Sequence, residues 1–195
     1  MASMLAFVFY PSAQKRAQAE LDRVVGRGRL PTFEDQPLLP YVSAVCRELL
    51  RWHVIVPLSI AHSPTKDDIY DRMFIPKGTP MLMNAWAILH GPEVYPASDP
   101  EGFKPERFLT TEGALNDDDV QGAFGLRRRS CVRLHFANSM LWIMVASVLA
   151  TFDVTKTKDG RGNEIPVDVN DSDGFVSHPL RSIVPFAQEV VKRKS

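Results

Sequence analysis

Cysteine is scarce in this chain: Cys46 and Cys131 are the only two, far apart and with no repeated spacing. That excludes a disulfide framework and makes a reducing compartment the default. Net charge is missing too, since 23 basic side chains balance 23 acidic ones. With no long basic run either, nucleic acid is not an expected partner. The opening apolar run, Met4 to Tyr10, is too short to span a bilayer and lacks the basic flank and cleavage site of a secretory signal. It reads as the end of a buried helix whose beginning is missing. Internal repeats and low-complexity tracts are absent.

What is present is 195 residues with 45% hydrophobic side chains, enough for one domain with a sizeable core. Ala13, Ala17, Leu21 and Val24 recur at helical spacing between Pro11-Ser12 and the stops Gly26 and Gly28. The charges on that helix, Glu20 among them, read as a solvated face. Three prolines between 31 and 40 suit an irregular connection. Tyr41, Val45, Leu49 and Trp52 then mark a second helix. The β-branched runs 54–62 and 68–75, separated by Ser63-Pro64, predict a small antiparallel sheet, with Pro57 at an edge or bulge. Residues 92–108 read as an ordered meander, and 116–119 as a solvated acidic loop that implies no metal.

Leu134 to Leu149 is apolar on nearly every face, which predicts a buried helix. Asn138, Ser139 and closely flanking charges argue against a membrane span. Runs 152–156 and 164–169 flank Lys158-Asp159-Gly160 as a hairpin, and 182–186 offers a last strand. The fold class is therefore mainly α with minor antiparallel β.

One stretch carries chemistry: Phe124-Gly-Leu-Arg-Arg-Arg-Ser-Cys131 places a lone cysteine in a basic loop directly before the long apolar helix. Guanidinium groups and helix N-terminal N–H groups both favour a thiolate, a soft ligand and a good nucleophile. On the residues alone, Cys131 is a metal ligand, a reactive thiol or an inert core cysteine. Thiol-based redox or hydrolytic chemistry lacks a supporting His/Asp constellation. Glu48 and Arg51, three apart, read on spacing alone as an exposed helix pair contributing roughly a few tenths of a kcal/mol.

The order of motifs is more specific than any one of them. Glu48-Leu-Leu-Arg51 comes first, followed by Phe74-Ile-Pro-Lys-Gly78-Thr79 and Asn84-Ala-Trp86-Ala-Ile-Leu-His90. Pro92-Glu-Val-Tyr-Pro96, Phe103-Lys-Pro-Glu-Arg107-Phe108 and the cysteine loop complete the series. In that order and with those gaps, the chain resembles the cytochrome P450 superfamily of haem-thiolate monooxygenases, fungal members in particular, over nearly its whole length. The resemblance implies that residues 1–195 form the C-terminal, proximal part of that fold, truncated before the central oxygen-activating helix. It implies haem b as cofactor, with Cys131 as the axial thiolate on iron, Arg129 facing a propionate and Phe124 packing near the sulfur. Glu48, Arg51 and Arg107 would form a buried network beneath the loop. His62 stands, by loose analogy, for a propionate contact and equally for an ordinary polar histidine. Leu58, Ser59 and Ile60 fall where relatives present substrate-facing side chains.

The implied activity is insertion of one oxygen atom from O2 into a small apolar organic substrate. Electrons would come from a redox partner reductase, through which NADPH acts only indirectly. Full-length eukaryotic relatives are anchored in the endoplasmic reticulum, and no anchor is seen in this chain. The alternative is a truncated, non-catalytic remnant or interaction module with impaired haem binding, and the chain alone is not expected to hydroxylate. Two departures bear on this choice. The family loop reads F-x-x-G-x-R-x-C-x-G, and here Arg127 and Arg133 hold both glycine positions. Glycine permits φ > 0 and close backbone approach, so the arginines are expected to weaken the loop.

Overall fold

Proline opens two of the helices in the computed structural model, which describes residues 2–95, 99–166, 176–177 and 191–193. After α1 (Ala2–Phe9), Pro11 starts α2 (Pro11–Val24) and Pro40 starts α3 (Pro40–Trp52). The N–H that proline lacks would have no helical partner at that position. Asn84 starts α4 (Ala85–His90) by accepting the Ala87 N–H. The last helix among the described residues is α5 (Leu134–Thr151). Between α2 and α3, where the prolines suggested irregular chain, Thr32 and Asp35 form a capping box on a 3-10 turn, Phe33–Leu38.

The strands pair differently from the sequence expectation. β1 (Asp68–Tyr70) and β2 (Met73–Ile75) form a hairpin within the second β-branched run, with Asp68 opposite Ile75. Its two-residue turn, Asp71 and Arg72, is left-handed at both positions, the conformation that matches strand twist. The first run supplies only the bridge from His62 to Met81. Pro57 has no N–H to give a ladder, and Ser59 turns to φ 53°, so no strand runs through it. β3 (Phe152–Asp153) pairs with β4 (Val191–Lys192). Around Lys158-Asp159-Gly160 the chain makes a tight loop bridged at Lys158 and Glu164, in which the Asp159 carboxylate accepts the Arg161 and Asn163 N–H groups. Residues 167–169 and 182–186 lie outside the described residues.

Helix α3 stands between two apolar cores. Val42, Val45 and Leu49 join Phe7, Leu21, Phe103 and Trp142 in one. Ala44 joins Val54, Leu89, Tyr95, Phe108 and Val120 in the other. Helix α5 is long and apolar enough by composition to cross a membrane, yet Trp142, Val145, Ala146 and Leu149 are buried, and the helix packs on α2 and α3. Contrary to the expectation of burial all round, Phe136, Met140 and Met144 are open at four-residue spacing.

The polar face of α2 also departs from expectation. Gln14 is buried, donates to the Val154 carbonyl and accepts the Val154 N–H, as a neighbouring strand would. Glu20 is not simply solvated. Its carboxylate accepts the N–H groups of Tyr41 and Val42 at 3.1 and 3.0 Å. Helix α3 has no side-chain cap of its own, so a carboxylate from the neighbouring helix meets its exposed N–H groups and its dipole.

Candidate functional site

Glu48 and Arg51 sit one turn apart on α3, both fully buried. The pair is bidentate, with Arg51 Nε to Oε2 at 2.7 Å and Nη2 to Oε1 at 2.8 Å. Arg107 Nε reaches the same Oε1 at 3.2 Å, and the Lys104 N–H donates to it at 2.7 Å. Two guanidinium groups thus share one carboxylate, and backbone carbonyls compensate the excess positive charge. Arg51 donates to the carbonyls of Leu89, Pro100 and Gly102, and Arg107 to those of Asp99 and Gly102. Among the described residues, every buried side-chain nitrogen and oxygen has a partner. All five N–H donors of Arg51 are thereby taken up within the protein. It ties α3 to α4 and to the segment 99–107.

Beyond Phe108 the chain turns back on itself. Asn116 donates to the Arg107 carbonyl from its side chain and to the Phe108 carbonyl from its backbone, while Arg47 holds its carbonyl at 2.7 Å. This part of the acidic loop is therefore half-buried structure. A 3-10 turn, Gln121–Phe124, leads to Gly125 at φ 86°. A Cβ there would lie 3.3 Å from the Arg129 carbonyl oxygen, so both space and conformation favour glycine. The loop closes through the Arg129 N–H to the Leu126 carbonyl, and through the Cys131 N–H to the Phe124 carbonyl at 2.8 Å. The Leu134 N–H then takes the Cys131 carbonyl, and α5 begins.

Cys131 is exposed and free, Phe124 is half-buried, and Arg128, Arg129 and Arg133 are exposed without ion pairs among the described residues. Arg133 occupies the N-cap of α5, where its backbone has a negative φ of −101°. The glycine this loop conformation calls for is Gly125, which the motif comparison passed over. Cys46 is also free but buried, and burial pushes its thiol well up and keeps it neutral. His62, Leu58 and Ile60 are exposed and Ser59 half-buried.

The family model described as Cytochrome P450 matches residues 2–186, and the chain belongs to that family. It is 46% identical over 176 residues to a cytochrome P450 monooxygenase of Armillaria gallica, which covers 90% of this chain and 34% of that one. Against a cytochrome P450 monooxygenase of Ampulloclitocybe clavipes, identity is 44% over 195 residues, or 100% of this chain and 35% of the other. A tryptamine 4-monooxygenase of Psilocybe cyanescens is 39% identical over 201 residues, covering 100% of this chain and 39% of its own length. The chain thus spans a little over a third of the length of these curated relatives.

The family is one of haem-iron proteins, and the residues present fit such a group. A macrocycle that brings its own nitrogen ligands asks the protein for an axial donor rather than a ligand cluster. Among the described residues no group of three or more His, Cys, Asp or Glu could hold a metal, while one exposed thiol is free. Next to it begins open apolar surface, with Val132 96% and Phe136 63% exposed. Unpaired guanidinium groups are available for anionic edges.

Proposed function

We propose that this chain supplies the cysteine-ligand side of a haem-dependent monooxygenase, with Cys131 as the residue whose sulfur would hold the iron. The carrying observation is a free, exposed cysteine at the entry to α5, flanked by unpaired guanidinium groups and an open apolar stripe. Haem bound there would supply oxygen activation, its thiolate ligand favouring O–O cleavage. Cys131 would offer its sulfur to the iron from a loop rich in guanidinium groups. Arg129 would meet an anionic edge of the cofactor, and Phe124, whose carbonyl holds the Cys131 N–H, would pack near the sulfur. Glu48, Arg51 and Arg107 hold the scaffold beneath the loop. For a whole protein of the relatives' length, the reaction is oxidation of an apolar organic substrate with O2. A reductase delivers electrons from NADPH, and the cationic loop surface suits an acidic partner.

The test is a reduced-plus-CO difference spectrum of the chain expressed with haem. A thiolate-type band is expected, abolished by Cys131→Ala and unchanged by Cys46→Ala. Retention of the band without Cys131 overturns the ligand assignment. Absence of any haem uptake by the unaltered chain favours the non-catalytic reading.

A further inference from the structure

The buried network and the cysteine loop share no direct hydrogen bond among the described residues, yet packing connects them. Arg51 Nη1 holds the Leu89 carbonyl of α4 at 3.2 Å. The side chains of Leu89 and Ile88 face Gly122, which is buried in the 3-10 turn Gln121–Phe124. A Cβ at Gly122 would lie 3.2 Å from Leu89 Cδ2 and 3.4 Å from Ile88 Cγ2, so glycine lets the turn lie directly on α4. At the far end of that turn, the Phe124 carbonyl accepts the Cys131 N–H.

Upstream, the chain enters the turn through Val120, which is left-handed at φ 57° and ψ 39°. A β-branched residue adopts that conformation only where its surroundings over-determine it. Here the side chain is 1% exposed, in the core with Ala85, Leu89, Tyr95 and Phe108. Its N–H donates to Asp118 Oδ1 at 2.9 Å, and its carbonyl accepts the Ala123 N–H at 3.0 Å. The turn is thus fixed at its entry by a strained, buried valine and along its length by contact with α4.

We propose that Gly122 is a positioning residue for Cys131: it seats the Gln121–Phe124 turn on α4 and so sets where Phe124 holds the cysteine backbone. The functional weight of this seat rests on the reading of Cys131 as the haem ligand, but its test needs no cofactor. Hydrogen exchange is measured on the full chain at the Cys131 N–H. The Ser43 N–H of α3, bonded to the Leu39 carbonyl, reports opening elsewhere. Gly122→Ala is expected to speed exchange at Cys131 about tenfold while leaving Ser43 within about twofold. Adding Leu89→Val, which removes the crowded atom, restores slow exchange at Cys131. Should Gly122→Ala fail to fold, Ile88→Ala loosens the seat from the other side and carries the same comparison.

Three results overturn the proposal: no change at Cys131, equal acceleration at both N–H groups, or no recovery with Leu89→Val. The CO spectrum is recorded separately on the unaltered chain. Its failure beside a Cys131-specific exchange effect removes the ligand reading and leaves the seat standing.

Discussion

Arg51 has every one of its N–H donors in a hydrogen bond, two to Glu48 and three to backbone carbonyls. Arg129 is exposed and has no ion pair among the described residues. The same side chain thus does two jobs in one chain. Inside, saturation turns a guanidinium into a fastening between α3, α4 and the segment 99–107, and leaves nothing for a ligand. At the cysteine loop, the unsaturated donors remain free for an anion. Burial alone would not separate the two cases, because a buried charge with a spare donor would also seek a ligand. The count of satisfied donors separates them.

The sharpest way to break this contrast is to empty the fastening. Glu48→Ala leaves two guanidinium groups without their carboxylate at a buried site. A loss of about 3–5 kcal/mol is expected from denaturant titration. An effect no larger than that of a surface pair would dissolve the distinction. Next in size is Glu20→Ala, which strips the two α3 N–H groups of their cap and is expected to cost about 1 kcal/mol. A change near zero would return Glu20 to the solvated face. Arg129→Ala sharpens the other side of the contrast. Stability should stay within about 0.5 kcal/mol while haem titration shows weaker retention, and a large stability loss would mean that the loop arginine is also a fastening.

The smallest effect concerns His90, which stacks on Trp86 with ring centroids 4.7 Å apart. Burial, aided by the nearby Arg51 charge, holds its pKa below the ordinary histidine value against hydrogen bonds that raise it. The folded chain therefore binds fewer protons here than the unfolded one. The contribution is complete above the unfolded pKa and lost as pH falls through the folded one. His90→Gln should flatten stability against pH across the histidine range, measured by melting temperatures between pH 5 and 8, a window of about the usual histidine titration. An unaltered slope would show that burial beside Arg51 does not hold this ring's titration down in the folded chain.

Much of the helical frame was legible from the chain, because Pro11 and Pro40 announce starts and the apolar stripes repeat at helical period. The meeting of Glu48, Arg51 and Arg107 was not legible from spacing, which favoured a surface pair. Motif order pointed to it, since the third partner lies more than fifty residues away. Strand pairing was read wrongly where local signals competed: Pro57 and Ser59 interrupt one run, while Asp71-Arg72 fold the other back on itself. Glu20 and Gln14 were hidden because residue type predicts exposure, whereas their partners, Tyr41, Val42 and Val154, come near only in the folded chain. At the cysteine loop, attention fell on the two arginines in place of glycines. Gly125, which has the left-handed backbone, and Gly122, which has the tight contact, carried no periodic or motif signal.

The cap that Glu20 places on α3 also bears on cooperativity. Starting at Pro40 with no cap of its own, α3 lacks a local device to hold its first turn, and helix nucleation is the costly step. The carboxylate that satisfies that turn becomes available only when α2 docks. The first turn of α3, the helix that carries Glu48 and Arg51, is therefore coupled to the docking of α2.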